Sequence, residues 1–115
     1  MKLRSQKYNA KKSPCRQGHV HASIKEARHC NDLTLLERAG EIDCLEVQRK
    51  FVFSINGREL KHDNGHKVGI NIDFVYREKS GQLVAADTKG FVVRDWPLRR
   101  AIFKALYPQF DFREV

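Results

Sequence analysis

The stretch "VGINIDFVYREKSGQLVAADTKG", Val68 to Gly90, constrains the fold more than any other part of the chain. Its apolar residues alternate, stop at a polar turn containing glycine, and resume as an apolar run, which predicts an antiparallel hairpin. With Glu78 to Gln82 as the turn, Arg77 lies opposite Leu83, Val75 opposite Ala85 and Asp73 opposite Asp87. The same register sets Ile72, Phe74 and Tyr76 against Thr88, Ala86 and Val84, continuing an apolar face begun by Val68 and Ile70. A slip of one residue would turn every one of those side chains to the other side, so the pattern selects this pairing. Two acids are thereby placed across from one another, where Cβ atoms are about 4.5 to 5.5 Å apart and like charges repel. Lys89 is two residues beyond Asp87 and shares its face.

One ammonium beside two carboxylates leaves a net negative site, which a hard divalent ion would complete. Mg²⁺, with Mn²⁺ as a substitute, prefers carboxylate oxygens and is commonly completed by substrate phosphates. The rest of the chain favours such a substrate. Its formal charge is +8, and Lys2, Arg4, Lys7, Lys11, Lys12 and Arg16 all precede the first acidic residue. Basic groups of that kind bind polyanions by releasing condensed counterions, although a basic tail also serves as a solvated, solubilising segment. An Asp and a Lys two apart in a strand often form only a surface pair worth less than ~1 kcal/mol. What favours chemistry here is that acids on both strands and the lysine reach one face together.

At 115 residues the chain forms one domain, able to bury roughly two thirds of the surface its unfolded form exposes. Residues 1–18 read as a basic, flexible arm broken by Pro14 and Gly18, and residues 19–115 as the folded domain. Ser23 to Glu26 is a capping box opening a helix that ends at "ERAG". Ile24, Ala27, Leu35, Leu36 and Ala39 form its broad apolar stripe, and Glu26, Cys30 and Leu33 a second, mixed one. A strand follows with Leu45, Val47, Phe51, Phe53 and Ile55 on one face, closing on the hairpin signal Asn56-Gly57. After the long hairpin, Asp95 caps a second helix with Pro97 in its first turn and Leu98, Ile102, Ala105 and Leu106 as its apolar side. Tyr107-Pro108 ends it, and "FDFREV" alternates as a last strand. The fold class is mixed α/β, in the order αβββαβ.

This order, with "NIDF" and "ADTKG", resembles the PD-(D/E)XK nuclease superfamily and its restriction-endonuclease-like core. "SIKEARHCNDLTLLERAGEI", "LEVQRKF", "DTKG" and "YPQFDFREV" are similar, over nearly the whole chain, to small phage and prophage proteins assigned to that superfamily. The usual proline before the first acid is replaced by Ile72, and the second acid is Asp87. The resemblance implies that Asp73, Asp87 and the backbone carbonyl of Thr88 are metal ligands and that Lys89 is the catalytic lysine. It also matches Glu26 to an acid on the first helix, although the capping box explains that residue unaided. Gln48 falls where relatives often carry a polar residue. The implied activity is Mg²⁺-dependent DNA endonuclease action, with a catalytically inactive DNA-binding accessory module of the same fold as the alternative. The resemblance to phage proteins suggests junction or branched DNA in phage DNA processing or recombination, which would require a homodimer to cut two strands.

Arg99, Arg100 and Lys104 lie away from the predicted apolar side of the second helix and are candidates, with Lys7, Lys11, Lys12 and Arg16 of the arm, for nucleic-acid contact. Cys15, His19, His21, His29 and Cys30 do not match paired zinc-ligand spacings. Three cysteines cannot all pair within one chain, so a reducing cytoplasm is expected, in a bacterial cell or phage-infected host. No signal peptide or membrane span is expected, because no apolar run approaches ~18 residues.

Overall fold

A computed structural model describes residues 13–14, 20–21, 23–88 and 94–115. The elements run β1 (Ser13–Pro14), β2 (Val20–His21), α1 (Ile24–Arg38), β3 (Ile42–Val52), β4 (Ser54–Ile55), β5 (Arg58–Glu59), β6 (Gly69–Glu78), β7 (Leu83–Asp87), α2 (Trp96–Leu106) and β8 (Phe110–Glu114). The main sheet has the order β3-β6-β7-β8. Its first three strands form an antiparallel meander, and β8 returns parallel to β7 after the α2 crossover. The mixed αβββαβ fold expected from the sequence is thus present. Short β1 pairs with β2, and β4 with β5. No helix among the described residues is long and apolar enough to cross a membrane.

The β6–β7 register is the one that the turn dictates: Phe74 faces Ala86, Val75 faces Ala85, Tyr76 faces Val84 and Arg77 faces Leu83. Alternation along this hairpin feeds two cores. Phe74, Tyr76, Val84 and Ala86 pack with Ala27, Cys30 and Leu33 of α1, whereas Val75 and Ala85 pack with Trp96 and Phe103 of α2. The helices therefore cover opposite sides of the sheet, each burying an apolar cluster that the strands supply.

The single continuous apolar face expected of β6 is not found. Ile70 and Ile72 belong to the α2 core and Phe74 and Tyr76 to the α1 core, so alternation breaks at Asp73. The predicted strand from Leu45 to Ile55 divides likewise, with Leu45 and Val47 of β3 against the α1 core, Phe51 of β3 and the following Phe53 in the α2 core, and Ile55 of β4 exposed. The break in β3 falls at Gln48, whose φ of 58° is left-handed, flanked by the pairs Val47 to Phe74 and Arg49 to Ile72. A second left-handed residue, Cys44 at φ 57°, sits in the bulge between Asp43 and Glu46. Further along, β3 and β6 approach so closely that a Cβ on Gly69 would lie 2.0 Å from the carbonyl oxygen of Phe51. Glycine is required there.

Both helices bury a side different from the one expected. In α1 the buried residues are Glu26, Ala27, Cys30, Leu33 and Thr34, while Ile24, Leu35 and Leu36 are exposed. The mixed stripe faces the sheet because it carries a polar group the interior uses, and Thr34 satisfies its hydroxyl on the carbonyl of Cys30 at 2.8 Å. In α2 the anchors are aromatic: Trp96 and Phe103 are buried, Ile102 is half-buried, and Leu98, Ala105 and Leu106 are exposed. Phe103 stacks on Tyr107 at 5.1 Å, and Phe51 meets both rings edge-on. Large rings bury more area per residue than the aliphatic side would. Asp95 precedes α2 without a side-chain capping bond and instead pairs with Arg99 at 2.9 Å.

Candidate functional site

The open end of the β6–β7 hairpin gathers the three predicted acids, two of them on one amide and the third on a backbone N–H. Ser23 caps α1 by accepting from the Glu26 N–H at 3.1 Å. Glu26 then lies in the first helical turn, where the helix dipole favours a negative charge, and it is buried at 4% exposure. Its Oε2 accepts from Gln48 Nε2 at 2.6 Å, so the capping box does not exhaust its role. The same Gln48 nitrogen donates to Asp73 Oδ1 at 3.1 Å. Because a carboxylate can only accept, two of them fix which end of the amide faces inward, and Asn71 Nδ2 completes the arrangement by donating to Gln48 Oε1 at 2.6 Å.

At Asp73 and Asp87 side chains take over from the strand ladder. The paired ladder ends at Phe74 and Ala86, and the next N–H, of Asp73, donates to Asp87 Oδ1 at 3.1 Å. In return Asp73 Oδ2 accepts from the N–H and the hydroxyl of Thr88 at 2.9 and 2.8 Å. The Asp87 carbonyl is engaged by the N–H of Val115, just past the neighbouring β8. Asp87 is 1% exposed, and Asp73 is half-buried. The two aspartates therefore meet across the strands, as the register requires, and Glu26 joins them from α1 through Gln48.

A left-handed conformation in a residue other than glycine or asparagine costs on the order of 1 to 3 kcal/mol and persists where surrounding contacts over-determine it. Gln48 has those contacts: two acids and Asn71 hold its side chain. His29, one turn beyond Glu26, borders the site. Its ring meets Phe74 edge-on at 5.2 Å, and burial pushes its pKa below the usual value, against the opposing pull of Asp32 and Asp73.

The oxygen-only donor set of Glu26, Asp73 and Asp87 suits the Mg²⁺ implied by the resemblance, and it lies where carboxylates are buried and need positive neighbours. Among the described residues, no three His, Cys, Asp or Glu side chains are grouped closely enough to grip an ion as they stand. The acids are spaced by the amide and backbone hydrogen bonds just given. Lys89, Lys7, Lys11, Lys12 and Arg16 lie outside the described residues, as do Cys15 and His19. Thr88 stands beside Asp73, and the contacts observed are made by its N–H and hydroxyl rather than its carbonyl.

The expected basic residues of α2 are already engaged within the domain. Arg99 bonds Asp95 and the Gly69 carbonyl, Arg100 pairs with Glu114 at 2.6 Å, and Lys104 stands over the Phe112 ring at 5.6 Å. Sequence reasoning missed Asn71, which shares a strand face with Asp73, and the Thr88 side chain, which the register had set on the apolar face opposite Ile72. It also missed His29, which the i, i+3 spacing from Glu26 places nearby.

Fold and site together define a mixed α/β domain with a polar centre of acids and amides at the open end of its central hairpin. The chain belongs to the family described as "Protein of unknown function (DUF1064)", whose profile matches residues 5–114. No curated protein and no solved structure matches the chain.

Proposed function

We propose that this protein is a metal-dependent DNA endonuclease of the PD-(D/E)XK type. The observation that carries the reading is the linkage of Glu26, Asp73 and Asp87, from one helix and two neighbouring strands: the left-handed Gln48 bonds Glu26 and Asp73, and the Asp73 N–H bonds Asp87. A fold gains little stability from collecting like charges in a partly buried place, so the arrangement favours a catalytic use.

In this reading Asp73 and Asp87 hold Mg²⁺, with the Thr88 carbonyl as a further ligand. When bound, the ion supplies Lewis acidity toward the phosphodiester and makes water a better nucleophile near neutral pH. Thr88 and Gln48 orient the Asp73 carboxylate, and Asn71 fixes the Gln48 amide so that its nitrogen faces the acids. Glu26 tethers the helix to the centre. Lys89 positions the attacking water or stabilises charge on the transition state, which is where a fixed cation contributes most. Hydrolysis then needs no covalent intermediate. Cleavage of junctions or branches, in a phage-related recombination or processing step, remains part of the proposal together with the homodimer it requires.

The test is cleavage of circular DNA with Mg²⁺ by wild type, Asp87→Ala and Lys89→Ala. Each substitution is expected to lower the rate on the order of a thousandfold, matching the several kcal/mol that such charge stabilisation is worth. Wild-type cleavage by either variant would end this reading. An inactive DNA-binding module would bind without cutting in all three forms.

A further inference from the structure

We infer that a nucleic-acid duplex crosses the acid centre with its sugar–phosphate backbone held in two basic clefts, one on each side. This rests on the nuclease reading for the choice of polyanion, and it assigns that polyanion a path and a strandedness. The first cleft, about 510 Å³, is lined by Lys25, Arg28, His29, Asp32 and Thr88, among others. The second, about 290 Å³, is lined by Lys50, Lys67, Asn71 and Arg99, among others. Thr88 belongs to the first cleft and bonds Asp73; Asn71 belongs to the second and bonds Gln48. A chain of hydrogen bonds, Thr88 to Asp73 to Gln48 to Asn71, therefore links the clefts directly through the centre.

Apart from Arg99, the cations in these clefts differ from those of α2. Lys25, Arg28 and Lys50 make no ion pair among the described residues, and Lys67 makes only an exposed one with Glu59 at 3.3 Å. They can accept phosphates without first breaking a buried contact. An anionic backbone passing over a cluster of acids is repelled at the middle, so binding requires cations on both flanks, and both clefts provide them. Neither cleft is lined by Phe, Tyr or Trp, the platforms on which unpaired bases stack, so the clefts read a backbone and favour a duplex.

The experiment measures equilibrium binding of a fluorescent DNA duplex, and of the corresponding single strand, by the full-length protein in EDTA across a range of salt. Each contacted phosphate contributes roughly 0.9 to the slope of log K against log salt. Lys25→Ala/Arg28→Ala and Lys50→Ala/Lys67→Ala are each expected to flatten that slope by roughly 2. All four residues are exposed, so folding is preserved. The control Arg38→Ala/Lys79→Ala removes the same charge at the far end of α1 and in the β6–β7 turn, and is expected to leave the slope unchanged. Unchanged slopes in either cleft variant, or an equal loss in the control, would overturn the path. Tighter binding of the single strand would overturn the duplex assignment. A wild type that binds with the expected slopes but never cuts DNA supports the path and overturns the hydrolytic reading, so the two fail separately.

Discussion

The two ends of the β6–β7 hairpin both carry charged residues and treat them in opposite ways. At the closed end, opposite charges are matched at the surface: Arg77 pairs with Asp43 at 2.6 Å, Arg113 with Glu78 at 3.0 Å and Lys79 with Glu41 at 3.5 Å. The partners answer one another electrically, since Arg77 holds the Asp43 carboxyl below its usual range and Asp43 raises the Arg77 guanidinium. At the open end, among the described residues, like charges are collected, and neutral groups donate to them: an amide, a hydroxyl and backbone N–H groups. One end is built for solubility and modest stability. The other gives up electrostatic comfort for a defined arrangement of oxygens.

If the open end were only another polar surface, Asp73→Ala would behave like Arg77→Ala. The structure predicts otherwise. Asp73→Ala removes the acceptor for three hydrogen bonds, including the Thr88 N–H that replaces a ladder bond, and should lower unfolding stability by about 1 to 3 kcal/mol in urea melts. A value near zero would place both ends in one class.

The comparison sharpens at Gln48. Gln48→Ala loses the amide yet keeps a Cβ in the left-handed conformation, whereas Gln48→Gly loses the amide and relieves the backbone. The glycine protein should be more stable than the alanine protein by about 1 kcal/mol, reversing their usual order in a strand interior. Equal stabilities would mean that no strain is held there. The smallest effect belongs to the closed end. Arg77→Ala should cost less than ~1 kcal/mol and leave the proposed DNA cleavage unaffected, because an exposed pair contributes little in water.

How much of this is legible in the sequence follows from the same contrast. The hairpin register could be read because a five-residue turn and strict alternation admit one pairing, and that register alone brings Asp73 to Asp87. The change of faces at Gln48 could not, since a left-handed glutamine has no local signal comparable to the Asn56-Gly57 turn, where φ values of 54° and 77° are observed. Counting apolar residues misassigned α1, because the side facing the sheet contains Glu26 and Thr34 while Leu35 and Leu36 face outward. In α2 the aliphatic positions outnumber the aromatic ones, yet Trp96 and Phe103 carry the packing. The cations of α2 are legible by their spacing, but their engagement is not, because the partners of Arg99 and Arg100 arise only from the folded helix and its neighbour β8.

Calorimetric titration of the full-length protein with Mn²⁺ in the absence of DNA, beside Asp87→Asn, tests the central claim most directly. Asn preserves the shape of the side chain and removes its charge, so a change in binding reports the carboxylate rather than the fold. Saturable binding by wild type that is lost in Asp87→Asn is the predicted result. Equal heats from both proteins, or none from wild type, would contradict the assignment of these acids to a divalent cation.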